Sequence, residues 1–314
     1  MAPLPVQLAA PPTLDMRVVR RLTPDLQRQV DQLADAAQAV DGVRAFGEHK
    51  WLRLVRGDDR CAAILAWQGR ALVAAAHCDA YHTSAPDRPC RLTAELVVEP
   101  RWRGRGLGRA LLAAIVGLAQ EEVAQELQAW AYGSLPAARR LADAFALRPE
   151  RRLLQYTLSP ERLPLSADIP VSVFDPAREA NAWLELHNRV FAGHPERGTW
   201  DMSDLQARLE QPWFDARDVL ITRDGGGEIL GFCWVKLPVD PTAAGEIYIV
   251  GVAPHARGRG LGRSLTQAGL AHIRARGRPG ATLYVEADNE PAIRLYEGLG
   301  FEQRFEHVLF ARAL

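Results

Sequence analysis

Apolar residues along this chain follow two spacings, of three to four and of two, and the order in which they occur is repeated. Leu26, Val30, Leu33 and Ala37 fall on one face of a helix. Thr23-Pro24 supplies an N-cap hydroxyl and a first-turn proline for it, and Asp41-Gly42 a stop. Residues 61–67 and 71–78 read as strands around the turn Gln68-Gly69-Arg70. A β-rich run, 95–100, ends in proline and leads through a glycine-arginine turn into an amphipathic helix, 107–119. A strand at 126–131, a short helix opened by Pro136 and a last strand at 153–158 complete the series. The proline-spaced stretch 159–170 reads as a linker.

The second half runs through the same order. Asp175-Pro176 opens a helix, and strands at 219–223 and 228–236 flank the turn Asp224-Gly225-Gly226-Gly227. The run 246–254 enters a second glycine-arginine turn, followed by a helix at 261–276, a strand at 282–286, a short helix begun by Pro291, and a last strand at 306–312. The pattern predicts two α/β domains, 15–158 and 171–314, each with a mixed sheet. Within the repeat one heptapeptide is identical: Arg103-Gly104-Arg105-Gly106-Leu107-Gly108-Arg109 and Arg257-Gly258-Arg259-Gly260-Leu261-Gly262-Arg263. A strand, a glycine turn and then a helix present backbone N–H groups and the positive end of a helix dipole, which suits a phosphorylated ligand. Glycine permits positive φ and close approach, and the arginines are expected to add charge at the rim.

At 314 residues and 48% hydrophobic content the chain is long enough for two cores. The formal net charge is zero, so nothing points to nucleic acid or an acidic membrane surface. Residues 1–13 lack the basic start of a secretory leader, and no apolar run approaches membrane-spanning length, which predicts a cytoplasmic protein. Cys61, Cys78, Cys90 and Cys233 show neither CxxC pairing nor metal-ligand spacing; they read as reduced thiols, and no metal is expected. Of 38 basic residues only Lys50 and Lys236 are lysines, so each stands out against an arginine background.

The pattern Arg257-x-x-Gly260-x-Gly262, followed by Asn289-x-x-Ala292-x-x-x-Tyr296-x-x-x-Gly300-Phe301, resembles the GCN5-related N-acetyltransferase (GNAT) superfamily. A tighter resemblance, to the mycothiol synthase family within it, covers almost the whole chain. It rests on Gly193-His194-Pro195-Glu196, Gly231-Phe232-Cys233-Trp234-Val235-Lys236, Gly245-Glu246-Ile247-Tyr248 and Leu283-Tyr284-Val285-Glu286-Ala287-Asp288-Asn289. The resemblance implies an α/β fold of two tandem GNAT domains, each a mixed, mostly antiparallel sheet flanked by helices with a splayed strand pair at the CoA site, and acetyl transfer from acetyl-CoA to the cysteinyl amine of cysteinyl-glucosaminyl-inositol. It implies acetyl-CoA contacts at Val250, Gly251 and Val252, at Arg257 through Arg263, and at Asn289, Glu290, Pro291, Ala292, Ile293 and Arg294. In the first half it implies them at Leu96, Val97, Val98, Arg103, Gly104, Arg105, Gly106, Leu107 and Gly108. Contacts to the thiol sugar are implied at Glu48, Glu196, Lys236, Glu246 and Tyr284.

Acetyl transfer to an amine needs a base for the ammonium, a donor for the oxyanion and an acid for the departing thiolate. Glu246, at the start of the strand feeding the turn, is the expected general base; Tyr296 is the expected general acid, and the Val252 N–H the expected oxyanion donor. Lys236 and Glu246 flank one connection and are expected to face a common pocket, while His194, beside a proline, reads as structural. Counting from Pro100 and Pro254 pairs Glu246 with Leu92. Counting from Pro136 and Pro291 pairs Tyr296 with Leu141 and Asn289 with Ser134. The C-terminal half is therefore expected to be catalytic. The N-terminal half either binds acetyl-CoA or uses its turn structurally. A monomer is expected. Two other readings stand beside this one: a tandem GNAT enzyme acting on an aminoglycoside or a protein N-terminus, and a non-catalytic acyl-CoA sensor.

Overall fold

A computed structural model of the chain describes residues 14–47, 51, 54, 55, 57, 60–81, 90–194 and 200–314. The chain packs as two compact units, one of residues 1–152 with 305–314 and the other of 153–304. In the first unit, α1 (Pro24–Asp41) starts where Thr23 Oγ1 accepts the Leu26 amide at 3.3 Å. It stops at Gly42, whose φ of +72° lets its amide return to Gln38 O. The sheet runs β1 (Asp15–Val19), β2 (Cys61–Gln68), β3 (Ala71–Tyr81), β4 (Arg91–Val98), β5 (Glu126–Ala131) and β12 (Glu302–Ala313). Only β4 and β5 run parallel; the other described ladders of this unit are antiparallel. α2 (Leu107–Glu121) and α3 (Pro136–Ala144) pack on one face around Leu111, Leu112 and Ile115, and α1 packs on the other around Val30, Leu33 and Val97.

The second unit repeats the plan. Its sheet runs β7 (Ser172–Val173), β8 (Val219–Arg223), β9 (Ile229–Lys236), β10 (Gly245–Val252), β11 (Ala281–Glu286) and then β6 (Arg148–Leu158), with β10 and β11 the parallel pair. α4 (Pro176–Val190) opens with the Asp175 carboxylate accepting the Ala177 amide at 3.1 Å. With α5 (Met202–Leu209), which the periodicity did not predict, it covers one face around Trp183, Trp200 and Trp234. α6 (Leu261–Ala275) and α7 (Glu290–Glu297) cover the other, around Leu265, Ile273 and Leu283. No helix among the described residues is long and apolar enough to cross a membrane.

One expectation is corrected. The strand at 153–158 does not close the first half, nor that at 306–312 the second. Residues 153–158 pair with β11, where Leu154, Tyr156 and Leu158 join the core under α6, and 308–313 pair with β5, where Val308 and Phe310 join the core under α2. Both strands place apolar residues two apart toward the helix-covered face (Leu154, Tyr156 and Leu158; Val308 and Phe310) and both pair antiparallel, so local sequence suits either edge. Loop-closure entropy grows only slowly with length and does little to penalise the exchange. Residues 159–170 are likewise drawn onto the second unit: Leu163 is buried there, its carbonyl bonds Arg274, and Arg162 donates to Gly300 O.

Candidate active site

Each glycine-arginine turn is a single 3-10 turn (Pro100–Trp102 or Pro254–Ala256) followed by two left-handed glycines: Gly104 and Gly106 at φ +74° and +82°, Gly258 and Gly260 at +77° and +78°. A Cβ at any of the four would meet no atom within 4 Å, so backbone conformation rather than space requires glycine. Gly106 and Gly260 are the N-caps of α2 and α6. Neither helix has a side-chain cap or an acidic residue in its first turn, so the first amides are left for a ligand. The first arginine of each motif does something other than add charge at the rim. Arg103 forms a two-pronged ion pair with Asp41 (2.7 and 2.8 Å) and bonds Val98 O, whereas Arg257 donates to the carbonyls of Val252 and Val190. Arg105 stacks on Trp102, and Arg263 donates to Gly298 O at 3.1 Å.

Above each turn the parallel strands part. The β10/β11 ladder runs from Gly245/Ala281 to Ile247/Leu283 and the β4/β5 ladder from Arg91/Glu126 to Ala94/Ala129; past these points the two strands of each pair no longer pair with each other. The Ala253 amide donates to Leu230 O on β9 at 2.8 Å. Successive amides alternate sides, so the Val252 N–H is directed into the gap left by β11. In the first unit Glu99 N bonds Val73 O at 2.9 Å, which aims the Val98 N–H the same way.

Glu246 and the acceptor-side candidates Lys236 and Tyr284 gather on the face of β10 opposite α6. Glu246 is the ladder partner of Lys236 on one side and of Thr282 on the other, and Tyr284 lies two residues beyond Thr282 on the same face. Between Ile247 and Ile249 the register with β9 slips by one residue. This bulge at Tyr248 sends Ile247 into the core under α6 and Ile249 into the core beside Trp183. Tyr296, half-buried on α7, meets Phe301 edge-on at 6.0 Å and packs in the α6-side cluster that includes Val250 and Val252. Glu246 and Tyr296 thus approach the parted strands from opposite faces. Asn289 Oδ1 caps α7 by accepting the Ala292 amide at 3.3 Å. His194 sits edge-on to Phe191, its Nε2 3.9 Å from Glu286. Glu48 and Glu196 lie outside the described residues.

The bulge also corrects the pairing of the halves. The β3/β4 ladder is regular from Tyr81/Arg91 to Ala74/Val98, so Thr93, not Leu92, occupies the position of Glu246, and Asp79 that of Lys236. The helix caps pair Asn289 with Leu135 rather than Ser134, and Tyr296 with Ala142 rather than Leu141. Glu95 and its ladder partner His77, both buried, stand where the second unit has Ile249 and Trp234. The Glu95 carboxylate accepts the Tyr132 hydroxyl at 2.5 Å and the Gly47 amide at 3.0 Å. Beside them a cavity of about 270 Å³ opens between the parted strands and the turn, lined by Leu96, Val98, Arg103, Gly106, Trp130 and Tyr132.

Periodicity gave no sign of Trp213, Tyr248 or Arg208, which build the wall beside Lys236: Lys236 Nζ lies 5.0 Å from the Trp213 ring and 5.5 Å from that of Tyr248, and Arg208 Nε donates to the Tyr248 hydroxyl. Three of the four cysteines, Cys61, Cys78 and Cys233, are buried, and burial pushes the Cys233 thiol up to about 12.

This geometry agrees with what the chain is similar to. The acetyltransferase (GNAT) family profile matches twice, at residues 28–145 and 180–301. A mycothiol acetyltransferase of Thermobispora bispora is 41% identical, covering 95% of this chain and 100% of that one. That of Acidothermus cellulolyticus is 40% identical over 93% of each. The chain belongs to the mycothiol acetyltransferase family. As a member of it, the protein is an acetyl-CoA-dependent acyltransferase built from two GNAT units. The tandem GNAT protein of the clavulanic acid pathway has the same fold, with a TM-score of 0.70 at 21% identity, over 96% of this chain and 98% of that one.

Proposed function

We propose that the second unit transfers an acetyl group from acetyl-CoA to the cysteinyl amine of cysteinyl-glucosaminyl-inositol, completing mycothiol. The observation that carries the reading is the row Lys236–Glu246–Thr282, set on one face where the parallel strands begin to part. Glu246 takes a proton from the cysteinyl ammonium, directly or through a water. The amine nitrogen then forms its bond to the acetyl carbon, and the Val252 N–H donates to the oxygen on which charge develops. Tyr296 gives its proton to the sulfur as the carbon–sulfur bond breaks; the nitrogen sheds the second proton that the amide does not keep, which passes through solvent to restore the tyrosine hydroxyl. Residues 257–263 and the amides opening α6 hold the phosphates of the donor; the segment 289–294 flanks it. Lys236 and Tyr284, with Glu196, bind the sugar hydroxyls, a mixed set that suits an acceptor with one amine and many hydroxyls.

The first unit holds a second acetyl-CoA in its cavity, along Leu96, Val97, Val98 and residues 103–108, and does not turn it over. The open glycine turn and the parted strands support binding, and Thr93 at the position of Glu246 supports inertness.

The test is thiol release from acetyl-CoA with the cysteinyl pseudodisaccharide, against free cysteine and an aminoglycoside. A preference of at least a hundredfold in kcat/KM, about 2.7 kcal/mol of selective transition-state binding, is expected. Equal rates on all three would sink the substrate assignment, and no turnover on any would favour a sensor.

A further inference from the structure

Lys236 carries one of only two lysine side chains in the chain, and it does not extend freely from the end of β9. Its ammonium lies 5.0 Å from the Trp213 ring and 5.5 Å from the Tyr248 ring, both within cation–π range. The two rings meet edge to face, 5.5 Å apart at 70°. Each is braced from behind. Buried Trp234 meets the Tyr248 ring edge-on at 5.6 Å and lies 6.1 Å from that of Trp213. The Tyr248 hydroxyl accepts from Arg208 Nε at 3.1 Å. Arg208 is itself buried, lies 3.6 Å over the Trp200 ring and donates to Asp204 O at 2.6 Å. Tyr248 is also the bulge residue of β10, so the irregularity that separates Ile247 from Ile249 presents this ring beside Lys236. A lysine side chain has four rotatable bonds, and its ammonium is a compact charge that sets no direction of its own. Two braced aromatic faces supply that direction, one residue pair away from Glu246.

We propose that Trp213 is a positioning residue for the acceptor: with Tyr248 it holds the Lys236 ammonium beside Glu246, so that Lys236 meets a hydroxyl or carbonyl of the thiol sugar in a fixed place. Trp213 acts through Lys236 and not on the reacting atoms. The inference rests on the reading of Lys236 and Glu246 as acceptor-side groups.

The scarcity of lysine makes the clamp directly visible. Protein grown with 13Cε-labelled lysine gives two side-chain signals, and Lys50→Arg identifies that of Lys236. Ring currents should displace the Lys236 ε-proton signal upfield in the wild type. The displacement should disappear in Trp213→Ala and persist in part in Trp213→Phe. In steady state, Trp213→Ala should raise KM for the cysteinyl pseudodisaccharide about tenfold, with kcat within about twofold and KM for acetyl-CoA unchanged. In a Lys236→Ala background the same substitution should add nothing, since what it positions is gone. An undisplaced Lys236 signal in the wild type overturns the clamp whatever the activity. A displaced signal with fully additive effects in the double variant overturns the positioning role. If the wild type fails to acetylate the pseudodisaccharide while the signal is displaced, the substrate reading falls and the role of Trp213 in acceptor binding falls with it, leaving only a structural contact.

Discussion

The two units share a backbone frame and differ in what hangs on it. Both have the left-handed glycine pair, an uncapped helix start, a parallel pair that parts after three or four residues, and an amide aimed into the gap. In the second unit a one-residue bulge sits two residues after a glutamate whose ladder partner is a lysine. In the first the ladder is regular, the pair is Thr93 and Asp79, and the acidic residue has moved to Glu95, where Tyr132 and Gly47 occupy it. The arginine opening the turn pairs with the Asp41 carboxylate in the first unit and donates to the carbonyls of Val252 and Val190 in the second. On the proposed reading, binding of a phosphorylated donor depends on main-chain geometry, which a duplicated sequence keeps, and reactivity depends on a few side chains and one bulge, which it can lose.

The comparison is broken most sharply at Glu246. Glu246→Gln is expected to lower kcat at least a hundredfold, with KM for acetyl-CoA within about threefold, as suits the loss of a general base. Thr93→Ala should leave kcat within twofold, and an equal loss in both would end the division of labour between the units. A second difference is in acid stability. His307, buried in the first unit, accepts the Gly133 amide through Nδ1 and is held down to about 4, chiefly by burial, against the opposing pull of Glu306. The folded state then binds fewer protons than the unfolded chain. This contribution is complete above the ordinary value of 6.5 and is lost as pH falls from there toward 4, to a total of up to about 3 kcal/mol. Chemical denaturation of the wild type and His307→Gln at pH 7.5 and pH 5 should show the wild type losing more stability between the two; parallel losses would refute it.

The turns separate more modestly. Gly260→Ala forces a left-handed alanine, about 1 kcal/mol of strain, and should raise KM for acetyl-CoA several-fold. Gly106→Ala should cost similar stability and leave turnover alone. The smallest effect is expected from Asp41→Asn: its partner Arg103 is about one-third exposed, so melting should show a loss at or below about 1 kcal/mol, with no change in kcat.

Much of this was legible in the sequence, because helix caps and strand alternation are local signals: Thr23, Asp175 and the prolines after them begin helices as expected. The turn glycines were legible because only glycine takes their φ readily. The bulge was not, since Glu246-Ile247-Tyr248-Ile249 alternates like any strand and the slip exists only relative to β9. With it went the correct partner of Glu246 and the aromatic wall, whose members come from three separate stretches of chain. The rim arginines were misjudged because composition records charge but not the acceptor each guanidinium finds.

The exchange of β6 and β12 orders the birth of the molecule. Most of the first unit is synthesised before residue 152, yet its sheet gains its last strand only when 305–314 leave the ribosome. Until then β5 presents an unpaired edge. The apolar pockets that Val308 and Phe310 fill, each side chain contributing roughly 1.5–3 kcal/mol, stay open. The second unit, by contrast, inherits its closing strand before any other part of it is made. The first unit is thus completed only after the second, and a nascent chain stopped short of residue 305 carries the second unit with all its described strands while the first still lacks one.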